Sequence, residues 1–341
     1  MKILNSKAKW REYFKSTGLE DEQASIYLKY IERLLSKRLP IIFNISHLTQ
    51  LIGIEKNFLL SMLYASEKHY RTFNLAKKSG GSRKIDAPLP TLLYCQQWIN
   101  KNILNHLVSH DCTYAYRRDK NIVLNAQQHL NKKILYKLDI KDFFPSINYD
   151  RVFSFYQYLG YNKEVSFALA KLSTFENKLP QGAATSANLS NHLFYIFDKR
   201  ISKLSKKFSI VYTRYADDLI FSGDKISHLF IAIIKKIINE NKLEINTSKT
   251  KLYTTRSRRI ITGIDISNGH PRIPREYRRK IRKEILLIQK LGIFGFLEHE
   301  NISDYKYISS LIGKINYWIQ VEPNNLFAKS SLDMMKSKIN S

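Results

Sequence analysis

Hydrophobic residues recur at helical spacing over the first part of the chain, residues 10–66. Ile26, Ile31 and Leu34, for example, fall on one face of a helix. Two shorter apolar runs that meet at Gly53 predict a pair of short helices. Because many small helical pairs share this pattern, a role in packing is favoured over the reading of a nucleic-acid groove.

Later segments alternate between apolar and polar residues with the period of two that is typical of strands. Residues 70–75 and 84–88 flank a glycine-containing turn and predict one hairpin, and residues 134–140 predict a further strand. The strongest hairpin signal lies at residues 210–222, where apolar runs flank a tight reversal. Helical spacing returns at residues 89–108, 149–173, 187–204 and 229–240, and in a C-terminal lobe that runs to Ser341.

The charge of the chain indicates a polyanionic partner. Its 341 residues include 56 Lys+Arg against 29 Asp+Glu, a formal net charge of +27 at pH 7. A compact body with this charge repels itself unless a polyanion is bound, so nucleic acid is favoured over an anionic membrane surface. Basic residues concentrate at residues 249–290, with 13 Lys/Arg against 3 Asp/Glu.

Segments that would direct the chain to a membrane or out of the cell are not expected. No apolar run reaches the ~18 residues that a spanning helix needs, and the first residues lack the apolar core of a signal peptide. We therefore expect a cytoplasmic protein. Cys95 and Cys112 are the only cysteines and do not form a CxxC motif, so neither a zinc site nor a disulfide is expected.

Three aspartates are the candidates for chemistry. Asp217 and Asp218 lie at the reversal of the predicted hairpin at residues 210–222. Such a pair is often structural because aspartate favours turns, but two adjacent like charges also attract a hard divalent cation. Asp139 lies inside an apolar strand, where aspartate is rare. Its alternative role is an ion pair with a lysine such as Lys137.

A cluster of the three carboxylates would suit phosphoryl transfer. Two Mg²⁺ ions ~3.5–4 Å apart can activate a hydroxyl and stabilise the leaving oxygen of an in-line displacement. Phosphoryl transfer depends mostly on positioning and on charge neutralisation, so carboxylates, metal ions and basic side chains are sufficient. The sequence offers no convincing Ser or Cys triad as an alternative.

Three motifs in order along the chain resemble the palm motifs of reverse transcriptases. They are LDIKDFFPSI at residues 138–147, LPQGAATSANLSNHLF at residues 179–194 and RYADDLIFS at residues 214–222. The resemblance implies an α+β right-hand polymerase fold, with fingers, a palm of antiparallel sheet plus helices, and a helical thumb. It divides the chain into an N-terminal helical region (1–69), fingers (70–138 and 151–186), palm (139–150 and 187–265) and a basic, RNA-binding thumb (266–341).

The same resemblance assigns roles to single residues. Asp139, Asp217 and Asp218 would be the catalytic metal ligands for two Mg²⁺ ions, with Mn²⁺ as an acceptable substitute. Tyr215 would lie near the primer terminus. In the second motif two alanines follow Gly182, where relatives often have prolines, so the rigidity of this loop is expected to differ.

Further residues would bind the incoming deoxynucleoside triphosphate. Phe144 would exclude a ribonucleotide 2′-hydroxyl. The remaining nucleotide-binding candidates are Gln181, Gly182, Lys77, Lys78, Arg83 and Lys249. The three basic residues of the glycine-turned hairpin have a solvated loop as their alternative, although the planar fork of arginine suits phosphate. Lys249 would protonate the departing pyrophosphate or would be an ordinary surface lysine.

Two short elements resemble those of retron reverse transcriptases, the Asn-Ala-x-x-His element from Asn125 to His129 and Ile261-Thr262-Gly263, where the family has Val-Thr-Gly. Asn125 and His129 are equally compatible with RNA binding and with support of the fold. Other candidates for RNA binding, besides Thr262 and Gly263, are the basic residues Arg272, Arg275, Arg278, Arg279, Arg282 and Lys283. An arginine surface suits the phosphates and shallow minor groove of A-form RNA.

The retron resemblance implies an RNA-directed DNA polymerase with a cognate structured non-coding RNA as template and primer. Synthesis would begin at a guanosine 2′-hydroxyl and leave a branched RNA–DNA product, msDNA, within an anti-phage defence system that includes an effector protein. The alternatives are a reverse transcriptase of another bacterial lineage, of the intron-encoded or abortive-infection type, and a non-catalytic nucleic-acid-binding derivative. All three carboxylates are present, which argues against the non-catalytic derivative.

Overall fold

The first part of the chain is helical, as predicted. The computed structural model describes residues 7–77 and 80–340. Its first helices are α1 (Lys7–Ser16), α2 (Asp21–Leu35), α3 (Ile45–Ile52) and α4 (Lys56–Tyr64). Helix α3 begins at the Asn44 cap and ends at Gly53, whose φ of 83° is the left-handed conformation that glycine adopts at low cost. Leu48 and Leu59 of this helix pair are fully buried, in agreement with a packing role.

A two-stranded hairpin follows and projects from the body of the protein. It pairs β1 (Tyr70–Ala76) with β2 (Ser82–Pro88) in the register Tyr70↔Pro88 to Ala76↔Ser82. Its outer half is exposed, whereas Tyr70 and Asp86 at the base are buried. The next elements are α5 (Pro90–Asn102), α6 (Ile122–Gln127), β3 (Ile134–Asp139), α7 (Tyr149–Leu159), α8 (Lys163–Ser173), α9 (Ser186–Leu193) and α10 (Tyr195–Lys207).

The central sheet has four strands in the order β4-β5-β3-β6, all antiparallel to their neighbours. Its remaining elements are β4 (Val211–Tyr215), β5 (Asp218–Gly223), α11 (His228–Glu240) and β6 (Lys251–Tyr253). Strand β6 was not predicted, because three residues at a sheet edge are too few to show alternation. Residues 134–138, which the sequence-based division assigned to the fingers, lie in this sheet as its inner strand. The other domain boundaries stay predictions.

Each face of the central sheet packs against its own core. The main core includes Leu138, Phe194, Leu219, Phe221 and Phe230 and lies between the sheet and helices α7–α11. The second core, on the opposite face, joins α6 and the sheet to the C-terminal elements and includes Val123, Leu135, Ile220, Ile285 and Trp318. Neighbouring residues of a strand point to opposite faces, which explains why Leu219 and Ile220 belong to different cores.

The C-terminal lobe combines a small hairpin with three helices. Its elements are β7 (Ile260–Ile261), β8 (Ile264–Asp265), α12 (Arg275–His299), α13 (Tyr307–Val321) and α14 (Leu326–Asn340). Helix α12 is interrupted at Gly292, where φ is 75° and ψ is 176°. None of the helices among residues 7–77 and 80–340 is long and apolar enough to cross a membrane.

A buried histidine connects the second core to the central sheet. His129, fully buried, lies just after α6. Its Nδ1 lies 2.7 Å from the Ser222 hydroxyl on β5, and its Nε2 lies 2.7 Å from the Thr213 hydroxyl on β4. Burial lowers the pKa of His129 to about 3, so the ring is neutral and has one donor and one acceptor nitrogen. One hydroxyl therefore donates to the ring and the other accepts from it.

Replacing His129 with leucine should lower the free energy of unfolding by about 2–4 kcal/mol, because two buried hydroxyls lose their partner. Since the folded pKa lies below the ordinary value of 6.5, the loss is full above pH 6.5 and shrinks as the pH falls. Urea unfolding at pH 8.0 and pH 5.5 measures both effects, with the exposed His228→Leu as the control. A stability equal to that of the wild type at pH 8.0 would contradict this role.

Candidate active site

The register of the central sheet brings two of the three predicted aspartates side by side. Asp139 is the last residue of β3 and pairs with Asp218, the first residue of β5. Two backbone hydrogen bonds extend this alignment, from the Ile140 N–H to the Asp217 carbonyl at 3.0 Å and from the Asn246 N–H to the Asp139 carbonyl at 2.8 Å. The three carboxylates therefore lie at one end of the sheet, as predicted.

A buried ion pair fixes the turn that carries Asp217. Arg214 and Asp198 are both fully buried, and the Arg214 Nη2 lies 2.7 Å from Asp198 Oδ2. The Nη1 of the same guanidinium donates to the carbonyl of Ala216 at 3.3 Å. Ala216 has a φ of 55°, a left-handed conformation that costs energy for a residue with a Cβ. The ion pair was not predicted, since Asp198 lies in helix α10, sixteen residues before Arg214 and outside the motif of the turn.

Lysines contact two of the three aspartates. Lys249 Nζ donates to both carboxylate oxygens of Asp139, at 3.2 and 3.0 Å. Lys137 pairs with Asp218 at 2.9 Å, and not with Asp139, the partner considered from the sequence. In the described part of the chain, no three acidic, histidine or cysteine side chains form a group that could hold a metal ion.

The third aspartate carries an unfavourable charge. Burial, reinforced by the neighbouring Asp218 and Asp139, raises the pKa of Asp217 to about 6. Burial also raises the pKa of Asp218, although Lys137 opposes that shift. Clustered oxygen ligands with mutual repulsion are the donors that a hard divalent cation prefers. Asp217 and Asp139, which face one cavity, thus fit such a cation by the chemistry of their donor atoms.

A cavity of about 740 Å³ lies between the turn that carries Asp217 and the hairpin of β1 and β2, the outer hairpin. Its lining includes Asp139 and Asp217. The predicted nucleotide-binding residues that line it are Lys77, Arg83, Phe144, Gln181 and Lys249. Lys78 lies outside the described residues. The structure thus brings these predicted side chains together around one space, and the part that each plays in nucleotide binding stays a prediction.

Gly182 holds the base of the outer hairpin against the second palm motif. The Asp86 N–H donates to the Gln181 carbonyl at 2.9 Å. A Cβ built on Gly182 would lie 2.7 Å from the Asp86 carbonyl oxygen, and the φ of Gly182 is 135°. Both facts require glycine at this position. Gly182 therefore sets the close approach of two backbones, while the Gln181 side chain reaches the cavity.

The other predicted contacts with primer and RNA differ in their exposure. Tyr215 is partly buried against the main core. Asn125 and His129 are fully buried, which favours support of the fold over contact with RNA for these two residues. Asn125 has no hydrogen-bond partner for its side-chain atoms among the described residues. Thr262 and Gly263 form the turn between β7 and β8, with φ values of 45° and 86° that suit a tight hairpin turn.

The predicted basic surface lies mainly on α12. Five of the six residues belong to this helix or its first turn, and Arg275, Arg279, Arg282 and Lys283 are exposed. Arg282 lies over the rings of Trp318 and Phe327, at 5.7 and 4.9 Å from the centroids. Such cation–π contacts orient its guanidinium while its outer edge stays exposed.

Removal of the Asp217 charge should stabilise the metal-free protein. The carboxyl pKa is higher in the folded state than the ordinary 3.8, so the ionised side chain destabilises the fold above pH 6, and the penalty disappears as the pH falls towards 3.8. At pH 7.5 in EDTA, Asp217→Asn should melt several degrees higher than the wild type. This rise corresponds to a gain in the free energy of unfolding on the order of 2–3 kcal/mol.

The same melting experiment with added Mg²⁺ should stabilise the wild type more than Asp217→Asn, because the ion neutralises the carboxylate. Asp224→Asn, a change at an exposed aspartate just after β5, serves as the control. A lower melting temperature for Asp217→Asn in EDTA would contradict the unfavourable charge.

Comparison with known proteins agrees with this geometry. Residues 75–284 match the family model described as reverse transcriptase (RNA-dependent DNA polymerase). The chain is 33% identical to the retron Ec86 reverse transcriptase of Escherichia coli, over 74% of this chain and 80% of that protein. It is 31% identical to the retron Ec73 reverse transcriptase of Escherichia coli, over 74% of this chain and 87% of that protein.

Longer relatives are matched over a smaller share of their length. The retron Mx162 reverse transcriptase of Myxococcus xanthus is 29% identical, and the match covers 64% of this chain and 52% of that protein. Among solved structures, a telomerase from Candida albicans overlaps 79% of this chain at 10% identity and a TM-score of 0.46. The family match begins near the end of β1 and covers β2, the turn that carries Asp217 and the start of α12. The chain therefore belongs to the retron reverse transcriptases, a family of RNA-directed DNA polymerases with the right-hand polymerase fold.

Proposed function

We propose that this chain copies part of a cognate structured non-coding RNA into single-stranded DNA, using two Mg²⁺ ions at Asp139, Asp217 and Asp218. The observation that supports this proposal best is the single cavity that Asp139 and Asp217 share with Lys77, Arg83 and Phe144. Carboxylates at one end and basic residues at the other suit a triphosphate that spans the space between them. The bound ions would supply Lewis-acid stabilisation of the reacting phosphoryl group.

The side chains of the site have separate tasks in this reaction. Asp139 and Asp217 would hold the cations. Lys249, which donates to the Asp139 carboxylate at 3.0 Å, would bind the phosphates of the nucleotide. Burial opposes the charge of this ammonium group, but the neighbouring carboxylates, Asp139 above all, raise its pKa, so Lys249 is charged at neutral pH. We propose that it neutralises the phosphates and donates a proton to the departing pyrophosphate.

The nucleotide would be selected by the walls of the cavity. Phe144 fills the space where a ribonucleotide would carry its 2′-hydroxyl, so deoxynucleotides are the substrates. Arg83 and Lys77, on the exposed outer hairpin, would hold the triphosphate. Gln181 would lie along the base pair that the incoming nucleotide forms with the template. Tyr215, next to the catalytic turn, would contact the end of the primer.

The RNA partner is inferred from the retron relatives and from charge. We propose that synthesis starts from a guanosine 2′-hydroxyl of the bound RNA and gives a branched RNA–DNA molecule, msDNA. The basic face of α12, with the exposed Arg275, Arg279 and Lys283 and the partly exposed Arg278, would hold a stem of this RNA through its phosphates. By analogy with the retron family we also propose an anti-phage defence role with an effector protein in the cytoplasm.

The two short elements that resemble those of retron enzymes would act on the fold and not on RNA bases. Asn125 lies on α6 and His129 just after it, and both are fully buried next to the residues of the second core. The Thr262–Gly263 turn joins the same core, close to Tyr317 of α13. We therefore propose that these elements fix the basic C-terminal lobe to the central sheet.

The combined change Asp217→Asn and Asp218→Asn should reduce primer extension on an RNA template to background, a loss of at least about a thousandfold, since two of the three charged ligands are removed. RNA binding should change less than about threefold, because the basic surfaces remain. Extension assays and filter binding measure the two effects. Asp224→Asn is the control that removes a nearby exposed carboxylate. Template-dependent synthesis by the doubly changed protein would disprove the two-metal assignment.

Charge reversal on α12 tests the proposed RNA surface. Arg278→Glu with Arg279→Glu should weaken binding of the cognate RNA about tenfold or more and lower the salt slope by about two or more. Lys235→Glu with Lys236→Glu makes the same change of net charge on exposed residues of α11, against the opposite core. Equal salt slopes for the two variants would remove the α12 surface from the proposal.

A further inference from the structure

Tyr116 enters the active-site cavity from a loop that the palm motifs do not include. Its side chain lines the cavity together with Asp139, Phe144 and Gln181, yet 48% of the residue is exposed. Its φ of 60° is a left-handed conformation, which is rare and costly for a bulky residue. A large ring held in a costly conformation and exposed inside a cavity indicates a function.

The loop before Tyr116 is fixed to the edge of the central sheet. The Arg214 N–H donates to the Cys112 carbonyl at 2.7 Å, and the Tyr114 N–H donates to the Arg214 carbonyl at 2.8 Å. The Asn191 side chain then donates to the carbonyl of Ala115 at 2.9 Å. These bonds hold the backbone up to the residue before Tyr116. The ring is thus presented to the cavity from a rigid base.

Tyr116 supports one side of the proposed sugar-selecting residue. The rings of Tyr116 and Phe144 lie 6.3 Å apart at an angle of 36°. On another side Phe144 contacts Phe143 at 5.4 Å, which in turn packs on the buried Phe194 at 5.1 Å. Phe143 belongs to the close-packed main core, so Phe144 cannot move in that direction. Tyr116 lies on another side of Phe144, where both rings line the cavity.

We propose that Tyr116 is a positioning residue for sugar selection, whose ring prevents Phe144 from turning towards the cavity and making room for a 2′-hydroxyl. This inference rests on the proposed function of Phe144. Without the Tyr116 ring, Phe144 gains rotamers that open the space beside the sugar. Its contribution comes from the ring and not from ionisation, since burial together with the charge of Asp217 raises the pKa of the Tyr116 hydroxyl.

The test is single-nucleotide extension of a primer on an RNA template, with kcat/KM measured for a deoxynucleotide and for the matching ribonucleotide. Tyr116→Asn removes the ring and keeps a residue type that tolerates the positive φ. It should lower the preference for the deoxynucleotide about tenfold, mainly because kcat/KM for the ribonucleotide rises. Tyr116→Phe should keep the preference of the wild type within about twofold. Tyr305→Ala, at an exposed residue, is the control.

The combination with Phe144→Ala shows whether Tyr116 acts through Phe144. Phe144→Ala alone should lower the preference strongly, and Tyr116→Asn added to it should change the preference no further. A parallel fall of kcat/KM for both nucleotides in Tyr116→Asn would overturn the inference, because it would reveal only a structural defect. An unchanged preference in Tyr116→Asn beside a lowered one in Phe144→Ala would reject Tyr116 and leave the proposed function standing. An unchanged preference in Phe144→Ala would reject the gate itself, and the role of Tyr116 with it.

Discussion

The antiparallel register between β3 and β5 is the constraint on which the catalytic end of the protein depends. It pairs Asp139 with Asp218, and it directs Leu138 and Leu219 into the main core while Leu135 and Ile220 enter the second core. A shift of one residue would turn the apolar side chains of the strand to the wrong faces. Because a close-packed core covers each face of the sheet, such a shift would put side chains of the wrong size and polarity into both cores. The packing of two cores therefore fixes the position of the carboxylates to within one residue.

A second constraint acts on the turn that the register alone does not define. A fully buried ion pair such as Arg214–Asp198 costs several kcal/mol of desolvation for each ion, and such pairs are often no more stabilising than apolar residues of the same size. This pair also serves the turn, because Arg214 binds the carbonyl of the strained Ala216 and its backbone binds the loop that ends in Tyr116. The buried ion pair thus fixes the geometry around Asp217, at the cost of desolvating two charges.

The features that could be predicted from the sequence are those that depend on local patterns of residues. The hairpin at residues 210–222, the strand that ends in Asp139 and the motif residues around the cavity follow from alternation and from motifs of adjacent residues. Strand β6, the Arg214–Asp198 pair and Tyr116 could not be predicted, because each depends on residues that only the fold brings together. The pairing of Lys137 with Asp218 could not be predicted for the same reason. Lys137 on β3 reaches Asp218, its diagonal neighbour on β5, and not Asp139, which is near it in the sequence.

The second core links the C-terminal lobe to the strands that carry the aspartates. Ile220 belongs to this core and lies two residues after Asp218 on β5, while Leu135 lies four residues before Asp139 on β3. His129 bonds to β4 and β5 at the same face, and Trp318 of α13 packs into the same core. A close-packed interior transmits displacement, because its side chains have little free space in which to relax. These few side chains therefore tie the position of the C-terminal helices to that of the strands that carry the carboxylates.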